Sequence, residues 1–107
     1  MKGARNEKIK EAIKHASAEF LIIASNRTSL ITVTDVQLSA KADRATVLLT
    51  VYPEKSEKAV LEFAKRNVGD LRALLAKRLA IHHLPFITFA IDFGEKNRQK
   101  LDQISNS

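Results

Sequence analysis

A chain of 107 residues makes one domain and leaves little room for a second, and the absence of cysteine excludes disulfides, zinc–thiolate sites and a cysteine nucleophile. Its 45% hydrophobic and 28% charged residues supply a core, and their periodic spacing excludes wholesale disorder. Lysine and arginine total 18 against 12 aspartates and glutamates, a net charge of +6 that favours a polyanionic partner but equally fits a soluble protein that is merely basic.

The first segment, Arg5 to Ser25, reads as a helix. Ile9, Ala12, Ile13, Ala16, Phe20 and Ile23 recur at spacings of three and four, with Lys8, Lys10, Glu11, Lys14 and Glu19 mostly off that stripe. The longest apolar run, Phe20 to Ala24, is far short of the roughly 18–20 residues that span a bilayer. The N-terminus has alternating charges in place of a signal peptide's apolar region, so a cytoplasmic location is expected. Ser25-Asn26-Arg27-Thr28-Ser29 has loop composition. Leu30 to Leu38 is rich in β-branched residues and reads as a strand; its alternation slips near Asp35 and Val36, the mark of a bulge or of burial on both faces. After the polar turn Ser39 to Asp43, Ala45, Val47, Leu49 and Val51 alternate with Thr46, Leu48, Thr50 and Tyr52. This is a second strand, and the short connection makes the pair an antiparallel hairpin.

Pro53 stops that strand. Ser56 is the expected N-cap of a helix continuing from Lys58 to Arg66, with Val60, Leu61 and Ala64 inward. Asn67-Val68-Gly69 interrupts it, and Leu71, Leu74, Leu75 and Leu79 resume the pattern at once as an abutting helix, ended by His82-His83-Leu84-Pro85. A glycine inside helical sequence costs roughly 1 kcal/mol against alanine and often marks a kink, a cap or a close backbone approach. Ile87, Phe89, Ile91 and Phe93 alternate with Thr88, Ala90 and Asp92 as a third strand, and Glu95 to Ile104 reads as a weak, frayed terminal helix. The expected core sets Val47, Leu49, Val51, Ile87, Phe89 and Ile91 against helices carrying Ile13, Phe20, Leu71, Leu74 and Leu75. Each strand keeps a polar face, so the fold is α+β, with a three-stranded sheet covered by helices on one face.

Signatures of catalysis are missing. There is no G-x-x-x-x-G-K-[ST], G-x-G-x-x-G or H-E-x-x-H, and no G-x-S-x-G elbow surrounds a serine. Asp35 and Asp92 would come together if their strands were adjacent, but such a pair is more simply a solvated rim than a site. Adjacent residues on extended backbone point to opposite sides, so His82 and His83 read as loop or helix-end charges rather than metal ligands. Neither an enzyme, a metal site nor a cofactor is expected.

The order α-β-β-α-(kink)-α-β matches a type II KH-like arrangement. At the kink a glycine removes the Cβ that would block a nucleic-acid backbone, and the following helix adds free N–H groups. Lys65, Arg66 and Arg72 flank Gly69, although an ordinary helical corner with solvated charges has the same residues. The G-x-x-G loop usual in KH domains is reduced to Gly69. The expected RNA contacts are Lys8, Lys14, Lys65, Arg66, Asn67, Gly69, Arg72, Lys77 and Arg78. By residues alone, a stand-alone KH-like protein on other RNA, a small-subunit protein that stays bound, and a protein-interaction module all remain open.

Two stretches resemble the ribosome-binding factor A family. In Ile31 to Tyr52, Thr34, Asp35, Val36, Leu38, Ser39, Ala45 and Val47 match the family's hairpin, with Lys41-Ala42 in place of the usual acidic and apolar choices. In Val68 to Asp92, Gly69, Leu71, Arg72, Leu75, Ala76, Arg78, Leu79, Ile81, Pro85, Ile87, Phe89 and Asp92 fall in register with the second run. The family's break is typically Ala-x-Gly where this chain has Asn67-Val68-Gly69, and His82 or His83 stands where the family often has arginine. The resemblance implies one KH-like RNA-binding domain over 1–107, a cytoplasmic monomer. Its partners would be the free 30S small ribosomal subunit and 16S rRNA, and it would assist late maturation, rRNA 5′-end processing and growth in the cold.

Overall fold

Helix α1 (Lys2–Ser25) is followed by strands β1 (Leu30–Leu38) and β2 (Arg44–Tyr52), a 3₁₀ turn (Glu54–Ser56), helices α2 (Glu57–Arg66) and α3 (Val68–Arg78), strand β3 (Phe86–Ile91) and helix α4 (Phe93–Ser105). The structure, a computed structural model, describes residues 2–25, 29–79 and 83–105. Strand β2 is central. It pairs antiparallel with β1 and parallel with β3, because α2 and α3 carry the chain back before β3 begins. The α+β, type II KH-like order read from the sequence is the order observed.

The slip expected in β1 is a bulge. Val33 lies opposite Leu49 and Asp35 opposite Leu48, leaving Thr34 as the extra residue. The turn after β1 is organised by Ser39, whose hydroxyl donates to the Asp43 carboxylate at 2.6 Å and accepts from the Asp43 and Arg44 N–H groups. That hydroxyl holds the Asp43 carboxyl below its ordinary value.

Alternation in β2 sends Ala45, Val47, Leu49 and Val51 into the core, and β3 adds Ile87 and Ile91. The helices close over this face with Ile9, Ile13, Ala16, Phe20 and Leu21 from α1, Val60 and Ala64 from α2, and Leu71 and Leu75 from α3. Helix α1 lies mainly over β1 and against α3, and α2 lies over β3. Phe20 ties the layers together: its ring centroid is 5.8 Å from that of Phe63 and 6.2 Å from that of Phe89.

Five expectations need correction. Ile23, placed on the buried stripe of α1, is exposed, and Leu21 is buried instead. Ser56 precedes α2 but caps nothing: the 3₁₀ turn already brings the chain in with helical angles there, so the extended backbone that a capping serine uses is missing. The interhelical break is shorter than Asn67-Val68-Gly69. It is Asn67 alone, at φ −107° and ψ 17°, and Gly69 lies in the first turn of α3 with no positive φ. Helix α3 ends at Arg78, since Leu79 is already extended, before His82-His83-Leu84-Pro85; residue 82 lies outside the described residues. Phe93 is not in β3 but opens α4, because Asp92 starts a helix there: its carbonyl accepts the Lys96 N–H at 2.9 Å and its carboxylate the Glu95 N–H at 3.0 Å.

The two aspartates expected to share a rim have separate work. Asp35 sits 3.6 Å from the Lys10 ammonium. Asp92 caps α4 and accepts a 2.6 Å hydrogen bond from Thr34, whose hydroxyl the bulge aims across the central strand. The Thr34 hydroxyl and the Glu95 N–H hold the Asp92 carboxyl below its ordinary value. A carboxylate with a depressed folded-state pKa contributes stability above its unfolded pKa and loses it as pH falls through the folded value. Thr34→Val should therefore cost about 1–2 kcal/mol at neutral pH. It should also leave a smaller drop in stability on acidification below about pH 4 than the unmodified chain shows. Urea unfolding at pH 7 and pH 3 measures both; an identical pH response in the two proteins would refute the assignment.

Candidate functional site

A groove of about 830 Å³ lies between α2, the start of α3 and strand β3. Helical periodicity builds one wall. Glu57, Lys58, Leu61, Glu62 and Lys65 share one face of α2, and Val68 and Arg72, four apart, share one face of α3. The other wall is β3 with Phe86, Ile87, Thr88, Phe89 and Ile91, and Phe93 closes the far end. Leu61, Val68, Ile87 and Phe89 make the interior apolar, while Lys58, Lys65 and Arg72 place cations along it. Glu57 is neutralised by Lys96, which also bridges to Glu54, so Glu62 is the lining carboxylate left against three cations. The carboxylates hold the Lys96 ammonium above its ordinary pKa, and Lys96 and Lys100 hold Glu54 below its own.

The corner between α2 and α3 is held by Asn67. Its backbone N–H and its side-chain amide both donate to the Phe63 carbonyl, at 3.0 and 2.9 Å, and its own carbonyl accepts the Asp70 N–H at 2.9 Å. These bonds serve groups that a helix end otherwise leaves unpaired. Gly69 is exposed, and a Cβ built on it meets nothing within 4 Å. The free N–H groups at the start of α3 face a competing charge, since Asp70 lies in that first turn. Attraction of a phosphate here falls to side chains. Arg72 is held in place by a 3.1 Å hydrogen bond from its guanidinium to the Pro85 carbonyl, which ties α3 to the entry of β3.

The residues singled out in the sequence divide by position. Lys65 and Arg72 line the groove. Arg66, Asn67 and Gly69 form the adjoining corner, with Arg66 and Gly69 exposed. Lys77 and Arg78 lie at the other end of α3, about 13 Å along its axis, and Arg78 is paired with Glu19. Lys8 and Lys14 sit on α1, over the opposite edge of the sheet. Among the described residues, Lys8, Lys14, Lys58, Lys65, Arg66, Arg72 and Lys77 form no ion pair. Sequence reasoning missed Lys58 and the aromatic residues Phe86 and Phe93. Lys58 was within reach, since it stands two helical turns before Lys65 on the same face. No helix among the described residues is long and apolar enough to cross a membrane.

Comparison with known proteins bears directly on this arrangement. The profile of the family described as ribosome-binding factor A matches residues 5–105. A ribosome-binding factor A from Thermobifida fusca is 35% identical over 104 residues, covering 94% of this chain and 69% of the relative. One from Halothermothrix orenii is 26% identical over 107 residues, covering 97% and 88%. The crystal structure of ribosome-binding factor A from Thermus thermophilus superposes with a TM-score of 0.66 at 26% identity, over 79% of this chain and 93% of that one. A solution structure from Thermotoga maritima, at 22% identity and a TM-score of 0.61, shares the fold over 82% of this chain and 83% of that one. With the profile running through every strand and helix that builds the groove, the chain belongs to the ribosome-binding factor A family.

Proposed function

We propose that this chain binds the free 30S small ribosomal subunit through its 16S rRNA and assists late subunit maturation, including processing of the rRNA 5′ end and growth in the cold. Family membership supports the ribosome as partner. The observation that carries the RNA contact is the groove itself, an apolar trough with Lys58, Lys65 and Arg72 along it beside a glycine-bearing helical corner. Phosphates suit the cations and base surfaces suit the apolar walls. The mechanism needs no bond made or broken: a domain that binds one RNA conformer more tightly than another shifts the folding equilibrium toward it by that difference in affinity. The chain acts as a cytoplasmic monomer, with 1–107 as one binding domain, Lys8, Lys14 and Lys77 adding a weaker, salt-screened positive field, and the charge of Arg78 offset by Glu19.

Sucrose-gradient sedimentation of cell extracts tests the assignment. The chain should travel with free small subunits and be absent from translating ribosomes. Presence on translating ribosomes would point instead to a resident subunit protein, and absence from every ribosomal fraction would end the proposal. Gly69 supplies a sharper check on the corner. Because it is helical, exposed and unobstructed, Gly69→Ala should keep or raise the melting temperature, alanine being the better helix former by up to about 1 kcal/mol. It should nonetheless weaken association with the subunit, since the added methyl group stands where an RNA backbone would approach. Normal melting with normal association would remove Gly69 from the contact surface.

A further inference from the structure

We infer that α4 is a clasp that sets the charge of the groove. Seated, its Lys96 ammonium cancels Glu57 on the groove wall; lifted, it leaves that carboxylate bare, so seating of α4 and binding of a polyanion in the groove favour each other. This rests on the reading of the groove as an RNA surface and adds a control over that same surface.

Little besides charge holds α4 down. Its Phe93 and Leu101 are largely exposed, and none of its described residues belongs to the core. A helix of 13 residues is marginal on its own in water, so its persistence depends on what ties it to the body. Asp92 caps its first turn, and two ammonium groups one turn apart reach the start of α2 and the 3₁₀ turn before it. Lys96 pairs with Glu54 and, at 2.8 Å, with Glu57, and Lys100 pairs with Glu54 at 3.1 Å. The Lys100 pair is half-exposed on both sides and counts for little. The pair with Glu57 is shielded, the side chains of Lys96 and Glu57 being 16% and 19% exposed. Glu57 Oε2 is shut away from water, and Glu57 makes no other ion pair among the described residues. Its charge is compensated there by Lys96 and by nothing else of opposite sign.

Glu57 is also part of the groove. It opens α2 beside Lys58, and both line the trough, whereas Lys96 does not. Lys58 and Lys65 stand about 10 Å apart along the helix axis at the usual rise per residue. A run of phosphates that uses both passes Glu57 well inside a Debye length. With α4 seated, Lys58, Lys65 and Arg72 face Glu62 alone; with α4 lifted they face two carboxylates. A polyanion therefore binds the seated form more tightly, and by linkage its binding draws α4 down by the same factor. Lys96 is a positioning residue that acts on the ligand through Glu57.

Fluorescence anisotropy of labelled oligouridylate with the full chain reads the effect. Lys96→Gln should weaken binding about fivefold, the low end of ordinary coupling between sites. Adding Glu57→Gln to it should return affinity to the unmodified level, because the carboxylate that Lys96 compensates is gone. A loss that Glu57→Gln fails to relieve would mean that Lys96 meets the RNA directly, and overturns the clasp. Hydrogen exchange reads the reciprocal half. The α4 amides from Asn97 to Leu101 should exchange more slowly when oligouridylate saturates the unmodified chain, and faster in Lys96→Gln. Exchange in α4 that ignores the RNA also overturns the clasp. Glu57 regains water when α4 lifts and α4 adds no described residue to the core, so the melting temperature should hold in both variants. If Lys96→Gln is silent while Lys65→Ala with Arg72→Ala weakens binding, the groove stands and the clasp falls. If both are silent, the reading of the groove as an RNA surface fails too.

Discussion

Leu75→Ala should lower the free energy of unfolding by about 3–5 kcal/mol, as befits one of the fully buried side chains of the core. Leu75 is fully buried on α3 and belongs to the core shared by the sheet and α1–α3. Cutting its isobutyl group back to methyl removes the transfer free energy of three carbons and leaves a cavity closed on all sides. A chain of this size has only about 5–15 kcal/mol of stability, so the variant stands near the threshold of unfolding. Phe89→Ala removes more atoms but should cost less, about 2 kcal/mol. Phe89 is only half-buried and one side of it opens on the groove, so water fills the gap that truncation leaves. Urea titration followed by circular dichroism gives both numbers, and a cost for Phe89→Ala above that for Leu75→Ala would contradict the burial order.

The Lys65→Ala, Arg72→Ala double variant should lose about two phosphate contacts. Its slope of log affinity against log salt on ribosomal RNA should flatten by about one unit per contact, with affinity at moderate salt falling at least tenfold. Lys8→Ala with Lys14→Ala removes the same net charge from the opposite edge of the sheet. It should change affinity far less, because charges beyond a Debye length of roughly 8–10 Å are largely screened. Equal losses in the two double variants would mean that binding senses net charge and not the groove. Arg72 also anchors the Pro85 carbonyl, so the melting temperature of its variant must be measured beside its affinity.

Local pattern was legible where one physical effect dominated. The strict alternation of β2, the stop at Pro53 and the slip in β1 each follow from side-chain direction or a missing N–H, and each is found where the residues put it. Misreadings arose where two rules met. Phe93 continues the alternation of β3 as far as composition shows, but Asp92-x-x-Glu95 is also a helix start, and the cap prevailed. Ile23 fits the spacing of α1 as well as Leu21 does; which of them is covered depends on how α1 lies across the sheet, which its own residues do not encode. The groove was half legible. Lys65 and Arg72 could be found from their neighbourhood to Gly69, but the opposite wall is 14 to 21 residues further on than Arg72, and no local periodicity brings β3 beside α2.

The bulge at Thr34 has a consequence for how the chain finds its alignment. One hydroxyl on an edge strand reaches past the central strand to the residue that starts α4, so two segments 58 positions apart report on each other. If β1 slid by a single residue along β2, its apolar side chains would turn outward and the Asp92 carboxylate would lose its donor in the same step. A misaligned hairpin thus forfeits its apolar burial and this hydrogen bond together, so one contact adds to the penalty on the wrong register.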